Sequence, residues 1–250
     1  YRLLSLKLYD RFQVDYVEIN GVKKELTNSQ WSDVNGIKVG QYGIQDNVPF
    51  VVKAFDVVGN VTTATFVFDL TGPTITVKPE SVGGPAFYSS LSLKLFDAYQ
   101  VDRVVVNGVE KDLTDNKWSD VNGITVGSFG IADGVPFTVV AFDVLGNSTS
   151  VTFTLDGTAP TITEKSVSET SVSLKLYDRS SVDHVVINGV FKDLTDNQWS
   201  DANDLRVGTF GIQDGVPFSV TVVDVAGNET TKWYTVSAVV PTATVDDSTG

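Results

Sequence analysis

The sequence contains no cysteine, so no disulfide framework holds it together and no thiolate is available for chemistry. It contains no methionine either, and a chain without an initiator residue is expected to be a processed or excised piece. Histidine occurs once, at His184. One imidazole cannot build a histidine metal triad, and a Ser-His-Asp relay needs its base held by a third group. His184 takes the outward strand position held elsewhere by Tyr16 and Arg103, which predicts a solvated surface residue. Basic residues number 18 against 31 acidic ones, a net charge of −13. Neutralising phosphates takes clusters of Lys and Arg. Nucleic acid and anionic membrane are therefore not expected as partners, while cations are attracted. The same acidity also serves to keep a repetitive β protein in solution. No apolar run nears the ~18 residues that span a membrane, so no membrane insertion is expected within this segment.

What is present is a repeat. Val101–Gly130 reads VDRVVVNGVEKDLTDNKWSDVNGITVGSFG, and close copies occupy Val14–Gly43 and Val182–Gly211. The copied block extends without gaps over Ser5–Asn60, Ser92–Asn147 and Ser173–Asn228. All length variation falls between blocks, which marks an array of like modules. The expected boundaries are 1–71, 72–158 and 159–239. Residues 240–250 then supply the first strand of a following module, or a donor strand for another chain.

Each block opens Ser-Leu-Lys-Leu, apolar and polar residues alternating, as in a half-buried antiparallel strand. Asn20-Gly21, Asn107-Gly108 and Asn188-Gly189 supply the two left-handed residues of a type I′ hairpin turn. Leu113–Asn116 has room for a short helical turn but not a core helix. A later strand begins at Val135-Pro136-Phe137, where proline is tolerated. Pro73–Val77, Pro160–Thr163 and Pro241–Val245 each read as the first strand of the next module. The pattern predicts about seven short strands per module, packed as a two-sheet sandwich. The Trp of the WSD motif, at 31, 118 and 199, is expected to anchor each core.

The endings AFDVVGNVTTATFVFDLTGPT, AFDVLGNSTSVTFTLDGTAPT and VVDVAGNETTKWYTVSAVVPT resemble the tandem immunoglobulin-like modules of large bacterial surface proteins. The shared signature is the D-x-x-G-N turn, a Thr-rich strand and a Thr-x-Pro-Thr junction, and the resemblance runs through all three copies. It implies an all-β chain of three tandem immunoglobulin-like β-sandwich modules in an elongated array. It also implies an extracellular, cell-anchored protein of adhesin, surface-layer or stalk type, often calcium-stiffened, with no enzymatic activity. Antibody-type modules carry a cysteine pair that is missing here.

In such a sandwich, two loops at one end of a module face the module before it. That end is expected to gather Asp97 and Asp143 beside Asp69, and at the next joint Asp178 and Asp224 beside Asp156. Carboxylate oxygens suit calcium, a hard cation. The other reading is that Asp143 and its counterparts cap a turn through backbone amides; no D-x-D-x-D-G loop is present, and on that reading the chain needs no cofactor. Asn60, Asn147 and Asn228 begin N-x-T sequons on a turn that would expose them, although Asn suits the turn and Thr the strand regardless. Acids that recur at turns in every copy behave as structural residues, not as a glycosidase pair. Gly123, Gly127 and Gly130 do not have phosphate-loop spacing.

The expected partners are neighbouring modules of the same or an identical chain, together with a cell-surface or glycan ligand. Strand exchange through residues 241–245 would join identical chains head to tail in a fibre. A carbohydrate-binding role stands on the outward Trp233 and is weakened because no aromatic patch is expected to repeat on the outer face.

Overall fold

The computed structural model describes residues 1–238 and is essentially all-β. Residues 241–245, the expected donor strand, lie outside the described residues. The first module comprises β1 (Leu4–Ile19), β2 (Val22–Ile37), β3 (Phe50–Asp56) and β4 (Val61–Phe66). The second comprises β5 (Thr74–Val77), β6 (Val82–Gly83), β7 (Tyr88–Val106), β8 (Val109–Ile124), β9 (Phe137–Asp143) and β10 (Ser148–Phe153). The third comprises β11 (Thr161–Val167), β12 (Val172–Ile187), β13 (Val190–Leu205), β14 (Phe218–Asp224) and β15 (Glu229–Tyr234). The sheets run β2-β1-β3-β4, β10-β9-β7-β5 with β8 also on β7, and β11-β12-β14-β15 with β13 also on β12.

The expected short strands are replaced by fewer, longer ones. β7 is 19 residues long, and its pairing with β8 shifts register between Phe96 and Val101 and again before Arg103. Such irregularities bend a strand and re-aim its side chains. Leu91, Leu93 and Leu95 before the shift, and Val104 and Val106 after it, are fully buried in one core. The buried positions thus change from odd to even numbers across the bend. One folded ribbon thereby supplies both layers of the sandwich, and each module has its own cluster of this kind. The hairpin turns form as predicted, with φ of 48° at Asn107 and 80° at Gly108. Leu113–Asn116 is strand within β8 and not a helical turn, with Asp115 in the left-handed region.

The WSD tryptophans are not core anchors. Trp31, Trp118 and Trp199 are 55%, 53% and 54% exposed. Trp118 pairs across strands with Phe96, whose neighbours Leu95 and Leu93 point inward, so both rings lie on the outer face. Their centroids are 4.1 Å apart, and the Lys94 ammonium sits 4.2 Å from the indole. Tyr9–Trp31 with Lys7 and Tyr177–Trp199 with Lys175 repeat the arrangement, so an aromatic pair does recur on the outer face. Outward Phe55 stacks on Tyr16, and Arg103 lies over Phe142. His184 is half-buried, bonded to Asp183 and packed on Phe191.

β5 pairs with β7 and β11 with β12, so the segments after Pro73 and Pro160 join the sheets that follow them. Ile75 and Ile162 pack into those cores. In the first module, no described strand lies along Leu4–Leu8 on the side away from β2. Leu6 and Leu8 are accordingly half-exposed, whereas Leu93, Leu95, Leu174 and Leu176 are fully buried.

Candidate metal centre at the module joints

Asp143 closes β9 and opens the D-x-x-G-N turn. Its Oδ1 accepts the Leu145 and Asn147 amides at 2.9 and 2.7 Å, and its Oδ2 accepts Asn147 Nδ2 at 2.5 Å. Asp97 stands at the bend of β7, where its Oδ1 accepts the Tyr99 amide at 2.9 Å. Asp69 arrives from the preceding module after β4; its Oδ1 accepts the Thr71 amide and hydroxyl, each at 3.2 Å. The three are 1–4% exposed, and one carboxylate oxygen from each lies within 4.8 Å of the others. Asp69 Oδ2 is buried without a hydrogen-bond partner among the described residues.

The second joint repeats the plan. Asp224 Oδ1 accepts the Ala226 and Asn228 amides at 2.9 and 2.8 Å, and its Oδ2 accepts Asn228 Nδ2 at 2.9 Å. Asp178 Oδ1 accepts the Ser180 amide and hydroxyl, both at 2.7 Å. Asp156 Oδ1 accepts the Thr158 amide at 3.0 Å, and its Oδ2 is the second buried carboxylate oxygen without a partner. One oxygen from each of Asp156, Asp178 and Asp224 again lies within 4.8 Å of the others.

Burial disfavours charge, and neighbouring anions disfavour it further. Burial, then the nearby Asp143 and Asp46, raise the pKa of Asp69 above the ordinary carboxylate range. Burial, then Asp69 and Asp143, raise that of Asp97. Asp156 and Asp224 shift the same way, from burial first and the other acids of their joint second. Three carboxylates buried together without a cation are electrostatically costly. The oxygen set is that of a hard-cation site. Turn-capping, the competing reading, also operates: Asp143 and Asp224 cap their turns with one oxygen while belonging to the cluster.

Each predicted acid therefore lies in the group expected for it. Two further contributors were not anticipated. Asn147 Nδ2 also donates to the Asp69 carbonyl at 3.1 Å, and Asn228 Nδ2 to the Asp156 carbonyl at 3.0 Å. Asn147 and Asn228 thus tie their modules to the ones before, and Asn147 is 3% exposed and not displayed on the turn. Asp46 and Asp133 hold the incoming segment by accepting the Leu70 and Gly157 amides at 2.8 and 2.9 Å. Their recurrence 87 residues apart was the available signal. The first module holds Asp10 and Asp56 at the matching places, lining a recess of about 250 Å³ with Leu8 and Asn60.

No family model matches the chain, and no curated protein does. Among solved structures, it is similar to a Bacteroides ovatus protein of a mixed-linkage glucan utilization locus, in complex with a mixed-linkage heptasaccharide. That match has 14% identity and a TM-score of 0.25, and covers 94% of this chain and 64% of the other. A 1.5-MDa bacterial ice-binding adhesin matches at 19% identity and TM-score 0.30, over 94% of this chain and 91% of that one. The tetra-tandem repeat in the extending region of a large adhesion protein matches at 15% identity and TM-score 0.25, over 93% and 69%. Likenesses this distant carry no argument about function.

Proposed function

We propose that the chain is a non-enzymatic structural repeat region of a bacterial surface protein, serving outside the cell as a spacer, stalk or lattice element whose joints calcium stiffens. The observation behind this reading is the buried Asp69–Asp97–Asp143 group, to which two modules contribute and in which one oxygen lacks a partner. Calcium bonds at 2.3–2.6 Å allow its ligand oxygens to stand up to about 4.6–5.2 Å apart, and one oxygen from each of these carboxylates lies within 4.8 Å of the others, close enough for one such ion to reach all three. Backbone carbonyls and water would complete the shell. Without the ion, like charges from two modules face one another, and the joint loosens.

The test is calorimetric melting in excess calcium and in chelator. A ligand bound only by the folded state at about 100 times its Kd stabilises by about 2.7 kcal/mol, so calcium raises the melting temperature. Identical melts in both conditions remove the reading.

A second reading has Pro241–Val245 of an identical chain complete the first module, giving head-to-tail fibres. The half-exposed Leu6 and Leu8, beside an edge that no described strand pairs, favour an incoming strand of that kind. Concentration-dependent filaments in electron micrographs support it; a monomer at every concentration rejects it.

A further inference from the structure

The two joints share three aspartates but differ in what stands beside them. The residue after Asp97 is Ala98; the residue after Asp178 is Arg179. Arg179 Nη2 lies 3.5 Å from Asp156 Oδ1 and 3.2 Å from Asp133 Oδ1, and Nη1 lies 3.5 Å from the Asp133 carbonyl. Room for this guanidinium comes from Gly134, since a Cβ there would fall 2.3 Å from Arg179 Cζ. At the first joint, the place of Gly134 is held by Asn47, whose amide turns to the Thr71 hydroxyl at 3.0 Å. Glycine with arginine in one joint is thus exchanged for asparagine with alanine in the other. Ser180 adds a hydroxyl to Asp178, where Tyr99 gives Asp97 only its amide. The other cation at the first joint, Arg2, bonds Asn147 Oδ1 at 2.7 Å and the Gly146 carbonyl at 3.0 Å, and makes no ion pair with a carboxylate among the described residues.

We infer that the joints divide by their counter-charge: the Asp69–Asp97–Asp143 joint depends on a bound divalent cation, whereas the Asp156–Asp178–Asp224 joint carries Arg179 as a built-in substitute and holds without one. The inference rests on the cation reading of the aspartate groups. Both joints keep a buried carboxylate oxygen without a partner, Asp69 Oδ2 and Asp156 Oδ2, so both retain the donor for an ion. What differs is the charge already present. A guanidinium a few ångströms from the site opposes a divalent cation through charge repulsion and must move or share its carboxylate.

The experiment titrates the full chain with calcium by calorimetry and with terbium by luminescence. The unaltered chain is expected to show one tight site and a second at least about tenfold weaker. Arg179→Gln brings the second site to the affinity of the first and makes the melting of the third module calcium-dependent. Asn47→Gly with Ala98→Arg abolishes the tight site and leaves the first joint insensitive to chelator; because this pair adds bulk at a joint, Arg179→Gln, which removes charge while keeping most of the side-chain length, is the deciding variant. Two equal sites in the unaltered chain, unchanged by Arg179→Gln, overturn the inference while the cation reading stands. No binding to the unaltered chain or to Arg179→Gln overturns both.

Discussion

Asn147 spans the first joint: one Nδ2 group donates to Asp143 in its own turn and to the Asp69 carbonyl of the preceding module. Asn60 makes the first of these bonds, to Asp56 at 2.6 Å, and has no bond to a preceding module among the described residues. Comparing the two isolates the joint. Removing a buried donor that serves two acceptors costs about 1–3 kcal/mol. Asn147→Ala is expected to lower the denaturation midpoint of the second module by that amount, and the exposed Asn60→Ala to cost its own module less. Equal losses would mean that the contact across the joint contributes nothing. A buried Asn147 is also a poor glycan acceptor, so intact mass is expected to show no attached sugar there.

The legible parts of the molecule were those set by local pattern. Asn107-Gly108 announces its turn because both residues must be left-handed, and the sandwich topology expected from the strand pattern puts the loops of Asp97 and Asp143 at one end of a module. Asp69 could be added because its distance from the Gly-Asn pair is the same as that of Asp156. Trp118 was misread because its direction depends on its cross-strand partner. Phe96 lies on the outer side of β7, and no count along β8 alone reveals this. Arg179 was missed for a related reason, since its partner Asp133 and the space left by Gly134 lie about 45 residues earlier in the chain.

The exposed tryptophans make a simple prediction. Trp199 lies 4.1 Å from Tyr177 and 4.1 Å from the Lys175 ammonium, but more than half of it meets solvent. A core tryptophan cut to alanine costs about 3–5 kcal/mol, while an aromatic pair contributes about 0.5–1.5 kcal/mol beyond its burial. Trp199→Ala is expected to fall near the lower figure in chemical denaturation. The native chain is expected to show red-shifted, readily quenched indole emission. A blue-shifted, unquenched spectrum would put the rings back in the core.

Asp56 predicts the direction of one pH response. The Asn60 amide bonded to its carboxylate, joined by the Asn60 and Val58 backbone amides, holds its pKa below the ordinary range against the effect of burial. A depressed folded pKa contributes stability that is present above the unfolded value and is lost as pH falls through the folded one. Asp56→Asn is therefore expected to destabilise at neutral pH and to match the unaltered chain once the pH is below the folded value. A deficit that is the same at both ends would show that the contribution is not ionic, and carboxyl chemical shifts followed through the titration would locate the folded pKa directly.

Gly72 tests how closely the first two modules approach. A Cβ there would stand 2.4 Å from the carbonyl carbon of Ser148 and 2.6 Å from its oxygen, and both are backbone atoms that no rotamer change can clear. The matching residue at the second joint is Ala159, so that joint already accommodates the extra carbon. Gly72→Ala must push β10 away from the incoming segment, drawing Asp69 from Asp143 without touching either hydrophobic core. The expected result is unchanged core chemical shifts, a wider range of inter-module angles by small-angle scattering, and weaker calcium binding by the chain. Ala159→Gly should change none of these beyond the modest cost of a freer backbone, about 0.4–1 kcal/mol. If Gly72→Ala leaves scattering and binding as they were, the close approach at residue 72 does not control the joint, and the alignment of Asp69 with Asp97 and Asp143 must be set by the hydrogen bonds of Asn147 and Asp46 alone.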